Sequence, residues 1–327
     1  VTSEWLIYRG QGRQHDDIER LPAPPSWRTF EQDATRRRLG DQRRATTYQA
    51  SDEEIELVNA ALYLRRPLLV TGKPGTGKST LAYSVAHELQ LGDVLYWPIT
   101  SRSNRHEGLY TYDAIARLQD ANLWRDTGEG SRPDIGSYLR LGPLGTAFAP
   151  SPRPRVLLID ELDKSDIDLP NDLLTLFEAG EFEIPELVRV AESEPRVEIL
   201  AHGGTERVTI EEGQLRCREF PLVVITSNEE REFPPAFLRR CLQLRLKRPG
   251  QQRLEAIVRA HLGTDAAEQS SYLIGEFLRR AQDGDLATDQ LLNAIYLTLN
   301  HAWPDNREYL AAMIMKRLDG SDASDLT

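Results

Sequence analysis

The run Gly72-Lys73-Pro74-Gly75-Thr76-Gly77-Lys78-Ser79, with Thr80 directly behind it, has the composition of a polyphosphate cradle. Its glycines let the backbone curl closely around an anion, and its successive amide N–H groups and the start of a following helix would point at phosphate oxygens. Lys78 adds a positive charge on a flexible stem, and Ser79 offers a hydroxyl to Mg²⁺. A second group of polar residues follows the apolar run Val156-Leu157-Leu158-Ile159, which delivers Asp160 and Glu161 to one strand end. Two adjacent acids at such a place divide the work of phosphoryl transfer. Asp160 suits the metal, held through water, and Glu161 suits orientation or deprotonation of the attacking water. A third run, Leu222-Val223-Val224-Ile225, presents Thr226, Ser227 and Asn228. The neutral amide of Asn228 could hold that water beside a terminal phosphate without adding repulsive charge. Finally, Phe233-Pro234-Pro235-Ala236-Phe237-Leu238-Arg239-Arg240-Cys241 reads as a short helix opened by proline and closed by two guanidinium groups, either of which suits transition-state charge on a phosphate.

These residues need a scaffold that brings several strand ends to one place. Leu68 to Thr71, Val94 to Ile99, Val156 to Ile159, Leu222 to Ile225 and Leu242 to Leu246 are near-continuous apolar runs of strand length, separated by helical patterns. That alternation predicts a parallel five-stranded sheet covered on both faces, with ligands at the carboxyl ends of its strands. A helix is predicted from Ser51, its N-cap, with Ile55, Val58, Ala61 and Leu62 facing inward and Arg65-Arg66-Pro67 as its end. Leu81, Ala82, Val85, Ala86 and Leu89 form the expected inner stripe of the helix after the cradle, which Gly92 stops. Beyond Pro249 the pattern is helical only, near 250–262, 266–282, 286–301 and 305–318, which reads as a small all-helical lid domain over 249–318, followed by a flexible tail at 319–327. The first fifty residues carry Leu21-Pro22-Ala23-Pro24-Pro25 among aromatics and read as an extended arm, which leaves 51–248 as the α/β core.

Two stretches look inserted into that core, near 100–150 and 183–220. The second alternates in strand fashion on either side of His202-Gly203-Gly204-Thr205 and predicts a hairpin. Either stretch could grip a partner or simply pack. His106-Glu107 lacks the second histidine of a zinc-protease helix, since Tyr110 stands there, and His106 is expected at the surface. Cys217 and Cys241, the two cysteines in 327 residues, are expected to pack as small apolar side chains in a reducing compartment. No run approaches a membrane span and the N-terminus lacks a signal-peptide layout, so a cytoplasmic location is expected. A formal charge of -11 argues against nucleic acid as the main partner. The local exception is the arginine-rich segment from Arg28 to Arg44.

Taken together, these motifs resemble those of the AAA+ ATPases, most closely the MoxR-like group. The resemblance rests on Gly72 to Ser79 as Walker A, Leu157-Leu158-Ile159-Asp160-Glu161 as Walker B, Asn228 as sensor 1, and the segment Phe237 to Cys241. It covers residues 50 to 318. It implies a P-loop α/β core with a helical lid, binding and hydrolysis of ATP to ADP with Mg²⁺ at subunit interfaces, and self-association into a ring, usually a hexamer. It also implies an arginine finger at Arg240 in preference to Arg239, and a protein client, often with a von Willebrand A-type partner. One departure stands out: Asp289 occupies the place of a sensor 2 arginine, with Arg279 or Arg280 as substitutes. That departure motivates an alternative, a nucleotide-gated switch or scaffold with slow turnover. A DNA-associated motor, of the kind found in GTP-using restriction subunits, is the other rival.

Overall fold

The computed structural model describes residues 45–127, 134–283 and 286–300, together with Asp16, Glu19, Ile314 and Met315. Most of the expected N-terminal arm, the tail and nearly all of the helix near 305–318 lie outside the described residues. The backbone divides into two units, one made of Ala50–Gly72 and Lys78–Leu246, the other of Val1–Gln49, Lys73–Gly77 and Lys247–Thr327.

The first unit opens with α1 (Asp52–Leu64), whose N-cap Ser51 accepts from the Glu54 amide and whose end is Arg65 in left-handed conformation. Then come β1 (Leu68–Thr71), α2 (Lys78–Glu88), β2 (Leu95–Pro98), α3 (Arg105–Leu109), β3 (Tyr110–Tyr112), α4 (Ala114–Thr127), β4 (Leu139–Leu141), α5 (Pro143–Phe148) and β5 (Val156–Asp160). The chain continues through α6 (Leu169–Ala179), β6 (Glu181–Glu183), α7 (Pro185–Val188), β7 (Arg196–Leu200), β8 (Arg207–Glu211), β9 (Gln214–Arg216), β10 (Leu222–Ser227), α8 (Pro235–Leu238) and β11 (Leu242–Arg245).

Five of these strands form one sheet in the order β11-β1-β10-β5-β2, and every pairing in it is parallel. The sequence predicts all five: β1, β5 and β10 are buried on both faces and read as continuous apolar runs, whereas the edge strands β2 and β11 alternate buried with exposed residues. Helix α1 packs on β1 and β11, α2 on β5 and β10, and α5 on β2 and β5. Two predicted stripes shift at their edges. On α1 the buried face runs through Glu54, Val58 and Ala61 while Ile55 is exposed, so the helix is turned by about one residue from the expected face. On α2 the stripe ends at Ala86, because the helix stops at Glu88 and leaves Leu89 exposed.

The two expected insertions are joined in a single six-stranded sheet, β3-β4-β7-β8-β9-β6. The predicted hairpin is there, as β7 and β8 in antiparallel register with Val197 opposite Ile210 and Ile199 opposite Val208. Strand β4 meets β7 in parallel at Arg140 and Leu200, which links the two insertions. Inward side chains of this sheet, among them Leu139, Val197, Ile199, Ile210 and Leu215, share one apolar core with Leu157, Ile159, Val223 and Ile225 of the parallel sheet. His106 lies in α3 and is exposed there. Both cysteines are free thiols, and burial raises the pKa of Cys241 to about 12, in keeping with a packed, protonated side chain.

The second unit carries α9 (Gln251–Leu262), α10 (Thr264–Gln269), α11 (Ser271–Asp283) and α12 (Thr288–Asn300). The span near 266–282, expected as one helix, is interrupted at Ser270, whose backbone leaves helical geometry and separates α10 from α11. Leu254 and Val258 of α9, Ile274 and Phe277 of α11, and Leu291 and Ile295 of α12 form the core of this unit. Among the described residues, no helix is long and apolar enough to cross a membrane.

Candidate nucleotide site

The carboxyl ends of β1, β10, β5 and β2 finish level with one another. Thr71 pairs with Ser227, Ile225 with Ile159, and Pro98 with Asp160. The register alone therefore gathers the polar residues that follow each apolar run. Within the loop after β1, Gly75 and Gly77 have φ of +74° and +91°, which a side chain would resist. A Cβ on Gly75 would also stand 2.5 Å from the Cβ of Ala287, inside the same unit. The Thr76 hydroxyl donates to the Lys73 carbonyl at 2.9 Å and closes the turn.

Lys78 begins α2, is 7% exposed, and donates from Nζ to the Gly72 carbonyl at 2.7 Å and to Oδ1 of Asn228 at 2.8 Å. Burial lowers its pKa, while the charges of Asp163, Asp160, Glu161 and Glu229 act in the opposite direction. A lysine so placed is a cation surrounded by acids and short of water, and a polyphosphate would meet it with little hydration to strip away.

Ser79 donates to Oδ1 of Asp160 at 2.7 Å, and the Thr226 hydroxyl donates to the same oxygen at 2.7 Å. Tyr96 on β2 reaches the other carboxylate oxygen of Asp160 at 3.3 Å. A serine hydroxyl beside a carboxylate gives the hard oxygen donors that Mg²⁺ prefers, with further positions left for phosphate and water. No group of three or more acids, histidines or cysteines that could hold a metal ion occurs among the described residues.

Glu161 has left-handed backbone geometry, φ 60° and ψ 50°, at the point where β5 passes into a 3₁₀ turn over Leu162–Lys164. That conformation is disfavoured for a residue with a side chain, and the amide of Glu161 is pinned to the Thr226 hydroxyl at 2.8 Å. Oε1 of Glu161 accepts from Nδ2 of Asn228 at 3.2 Å, and Oε2 accepts from Nζ of Lys164 at 2.6 Å. The hydrogen bond from Lys164 is the main cause of a lowered Glu161 pKa, and the same bond raises that of Lys164. Asn228 is fixed in turn by its own amide, which donates to Oδ2 of Asp163 at 2.9 Å.

The structure thus brings together Lys78, Ser79, Asp160, Glu161 and Asn228, five of the residues that the sequence singles out. Thr80 follows Ser79 in α2. Arg239 and Arg240 lie at the end of α8 and are exposed. The Arg240 guanidinium is taken by Glu178 of its own chain and also donates to the Ala236 carbonyl at 3.2 Å. Arg239 has no side-chain hydrogen bond or ion pair among the described residues. In the second unit Asp289 is exposed in the first turn of α12, and both Arg279 and Arg280 hold Glu276, at 2.7 and 2.6 Å.

Sequence reasoning missed Tyr96, Asp163 and Lys164, and gave Thr226 no task. Asp163 and Lys164 were findable, since a turn after Glu161 places residues two and three positions on beside the same strand ends. Tyr96 acts across neighbouring strands, which only the sheet order reveals.

A search of curated proteins finds no match. Among solved structures, one that is similar is NtrX from Brucella abortus in complex with ADP, at 14% identity and a TM-score of 0.32. The match covers 86% of this chain and spans 54% of that one. A likeness at that level carries no argument about activity. The family model of the AAA domain, dynein-related subfamily, matches residues 67–241, from the residue before β1 to the cysteine after Arg240. It takes in every strand of the parallel sheet except β11 and each of the five gathered residues. The chain belongs to this family of AAA+ nucleotide-binding ATPases.

Proposed function

We propose that this chain binds and hydrolyses ATP with Mg²⁺ and that, as a ring of copies, it remodels or activates a partner protein in the manner of the MoxR-like group. The observation that carries the proposal is the continuous hydrogen-bonded set Lys78, Asn228, Glu161, Thr226, Asp160 and Ser79 at the strand ends.

In this reading Lys78 and the amides of the cradle take the phosphates, and Ser79 and Asp160 hold the metal, Asp160 through water. Mg²⁺ held there would supply positive charge against the negative charge that develops on the phosphates. Asn228 orients the attacking water and Glu161 accepts its proton. The water oxygen bonds to the γ-phosphorus as the bond to the β-phosphate oxygen breaks, which gives ADP and phosphate. An arginine from a neighbouring copy completes the charge balance. Arg240 would first have to leave Glu178. That exposed pair is weak, so the exchange is cheap, yet Arg239 can reach outward with no bond to break.

The client would be a protein complex, with a von Willebrand A-type protein as a fitting partner. A second reading, a nucleotide-gated switch with slow turnover, is favoured by Asp289 and by the engagement of both Arg279 and Arg280 with Glu276. Phosphate release and sizing in ADP and in a nonhydrolysable ATP analogue separate the two. Glu161→Gln should lower phosphate release by about a hundredfold or more while nucleotide still binds. Unchanged release in that variant would reject the ATPase reading, and release that is slow regardless of assembly would favour the switch.

A further inference from the structure

Arg239 and Arg240 stand on a short turn whose backbone has to be held from outside. Helix α8 has four residues, and the carbonyls at a helix end find no partner within it. Both flanks of the turn are anchored, since Phe237 before it and Cys241 after it are buried in the core. The turn itself, with its two exposed side chains, is closed by the half-buried Arg66. Nε of Arg66 donates to the Arg240 carbonyl at 3.2 Å, and a terminal nitrogen of the same guanidinium donates to the Arg239 carbonyl. Strand register explains the meeting. Leu68 of β1 lies opposite Leu242 of β11 in parallel pairing, and the Leu242 amide donates to the Pro67 carbonyl at 2.9 Å, so residue 66 comes level with residue 240 just before the ladder begins. A planar fork of several donors suits two adjacent carbonyls, which the single nitrogen of a lysine serves poorly. The same register puts the turn at the amino end of the sheet. Gly72, where the cradle begins, follows the other end of β1, about 20 Å from Arg66 at the rise of a strand. A guanidinium on this turn is therefore remote from the phosphates of its own cradle.

We propose that Arg66 is the positioning residue of the arginine finger: by holding the carbonyls of Arg239 and Arg240 it fixes the turn that presents a guanidinium to the phosphates of a neighbouring copy. Arg66 touches no phosphate itself. It acts through the turn, and on another copy's site rather than its own. This rests on the ATPase reading above, with the finger working between copies.

Phosphate release by mixed copies of the full chain tests the idea, because a residue that serves a neighbour and a residue that only holds its own fold behave differently in mixtures. Arg66→Ala alone should lower kcat about a hundredfold with KM near wild type, as expected for a misplaced transition-state contact. Mixed with Glu161→Gln, which lacks the base but keeps Arg66 and both arginines, it should regain a measurable part of wild-type release. Mixed with the double variant Arg239→Ala with Arg240→Ala it should regain nothing, since neither copy presents a finger. Arg66→Lys should lose roughly tenfold in kcat, because one nitrogen cannot hold both carbonyls, and it takes the place of Arg66→Ala in the mixtures should the alanine variant fail to fold. A wild-type kcat in either Arg66 variant, or recovery with the finger-less double variant, overturns the role. So does absence of recovery with Glu161→Gln when the finger-less double variant does recover with it, and the ATPase reading then stands. If the finger-less double variant also fails to recover with Glu161→Gln, the finger does not act between copies, and if Glu161→Gln alone releases phosphate like wild type, the ATPase reading fails; in both cases this inference falls too.

Discussion

Thr226 holds two roles with one hydroxyl, donating to Asp160 and accepting from the Glu161 amide, and it is fully buried at the end of β10. Thr226→Val keeps the shape and removes both bonds. The change should cost about 1–3 kcal/mol, because the Glu161 amide loses its acceptor in a part-buried place. Urea unfolding should show that loss, and kcat should fall more than KM rises, since the acid pair and not the cradle is disturbed. Sequence alone pointed to Lys78, Ser79, Asp160, Glu161 and Asn228, whose types and positions after apolar runs are enough to mark them. It gave no reason to pick Thr226 over Ser227, because that choice depends on which face of the sheet carries the contact to Asp160.

At the scale of elements, α11 gives a pH-dependent test. Arg279 and Arg280 hold the Glu276 carboxylate, and the Arg279 hydrogen bond is the main reason that its pKa is lowered to about 2. A depressed carboxylate contributes stability that is fully present above its unfolded value, about 4.3, and is lost as pH falls towards the folded one. Chemical unfolding of wild type and Glu276→Gln should therefore differ at about pH 6 and converge by about pH 2. A difference that persists into acid would mean that the pair contributes nothing through charge. A second element test concerns α5, where a Cβ on Gly145 would lie 2.0 Å from the Leu109 carbonyl. Gly145→Ala should cost about 1–3 kcal/mol, because two backbones must part. The three inner parallel strands were legible because burial on both faces writes itself as continuous apolar runs, and the edge strands β2 and β11 because their buried positions alternate with exposed ones. The six-stranded sheet was not, apart from its central hairpin. Strands β3, β4, β6 and β9 are three residues each, too short to display a period, and apart from the local pairing of β9 with β8 their partners are distant in the chain.

For the whole molecule, the proposed ring can be tested by complementation. A copy with Glu161→Gln retains its arginines, and a copy with Arg239→Ala retains its base. If the finger acts on a neighbour, mixing the two inactive variants should restore a measurable part of wild-type phosphate release, with the same test on Arg240→Ala deciding between the two residues. Mixtures no more active than their components would place the finger within its own chain or remove it. The family match ends at Cys241, and it is the α/β unit that the sequence described best. The helical unit was legible as helices but not in its interruption at Ser270, whose buried hydroxyl has no hydrogen-bond partner among the described residues.

The shared core beneath the two sheets sets a rule for anyone who would exchange parts between this protein and a relative. Residues 181–216 cannot be transplanted by themselves, because Val197, Ile199, Ile210 and Leu215 share their core with Leu139 and Leu141 of the other insertion as well as with Leu157 and Ile159 of β5. A chimera that takes the hairpin without 105–149 would carry an oily underside into a host with nothing shaped to receive it, and should aggregate. The smallest portable piece is the pair of insertions together, spliced on either side of the strand that bears Asp160.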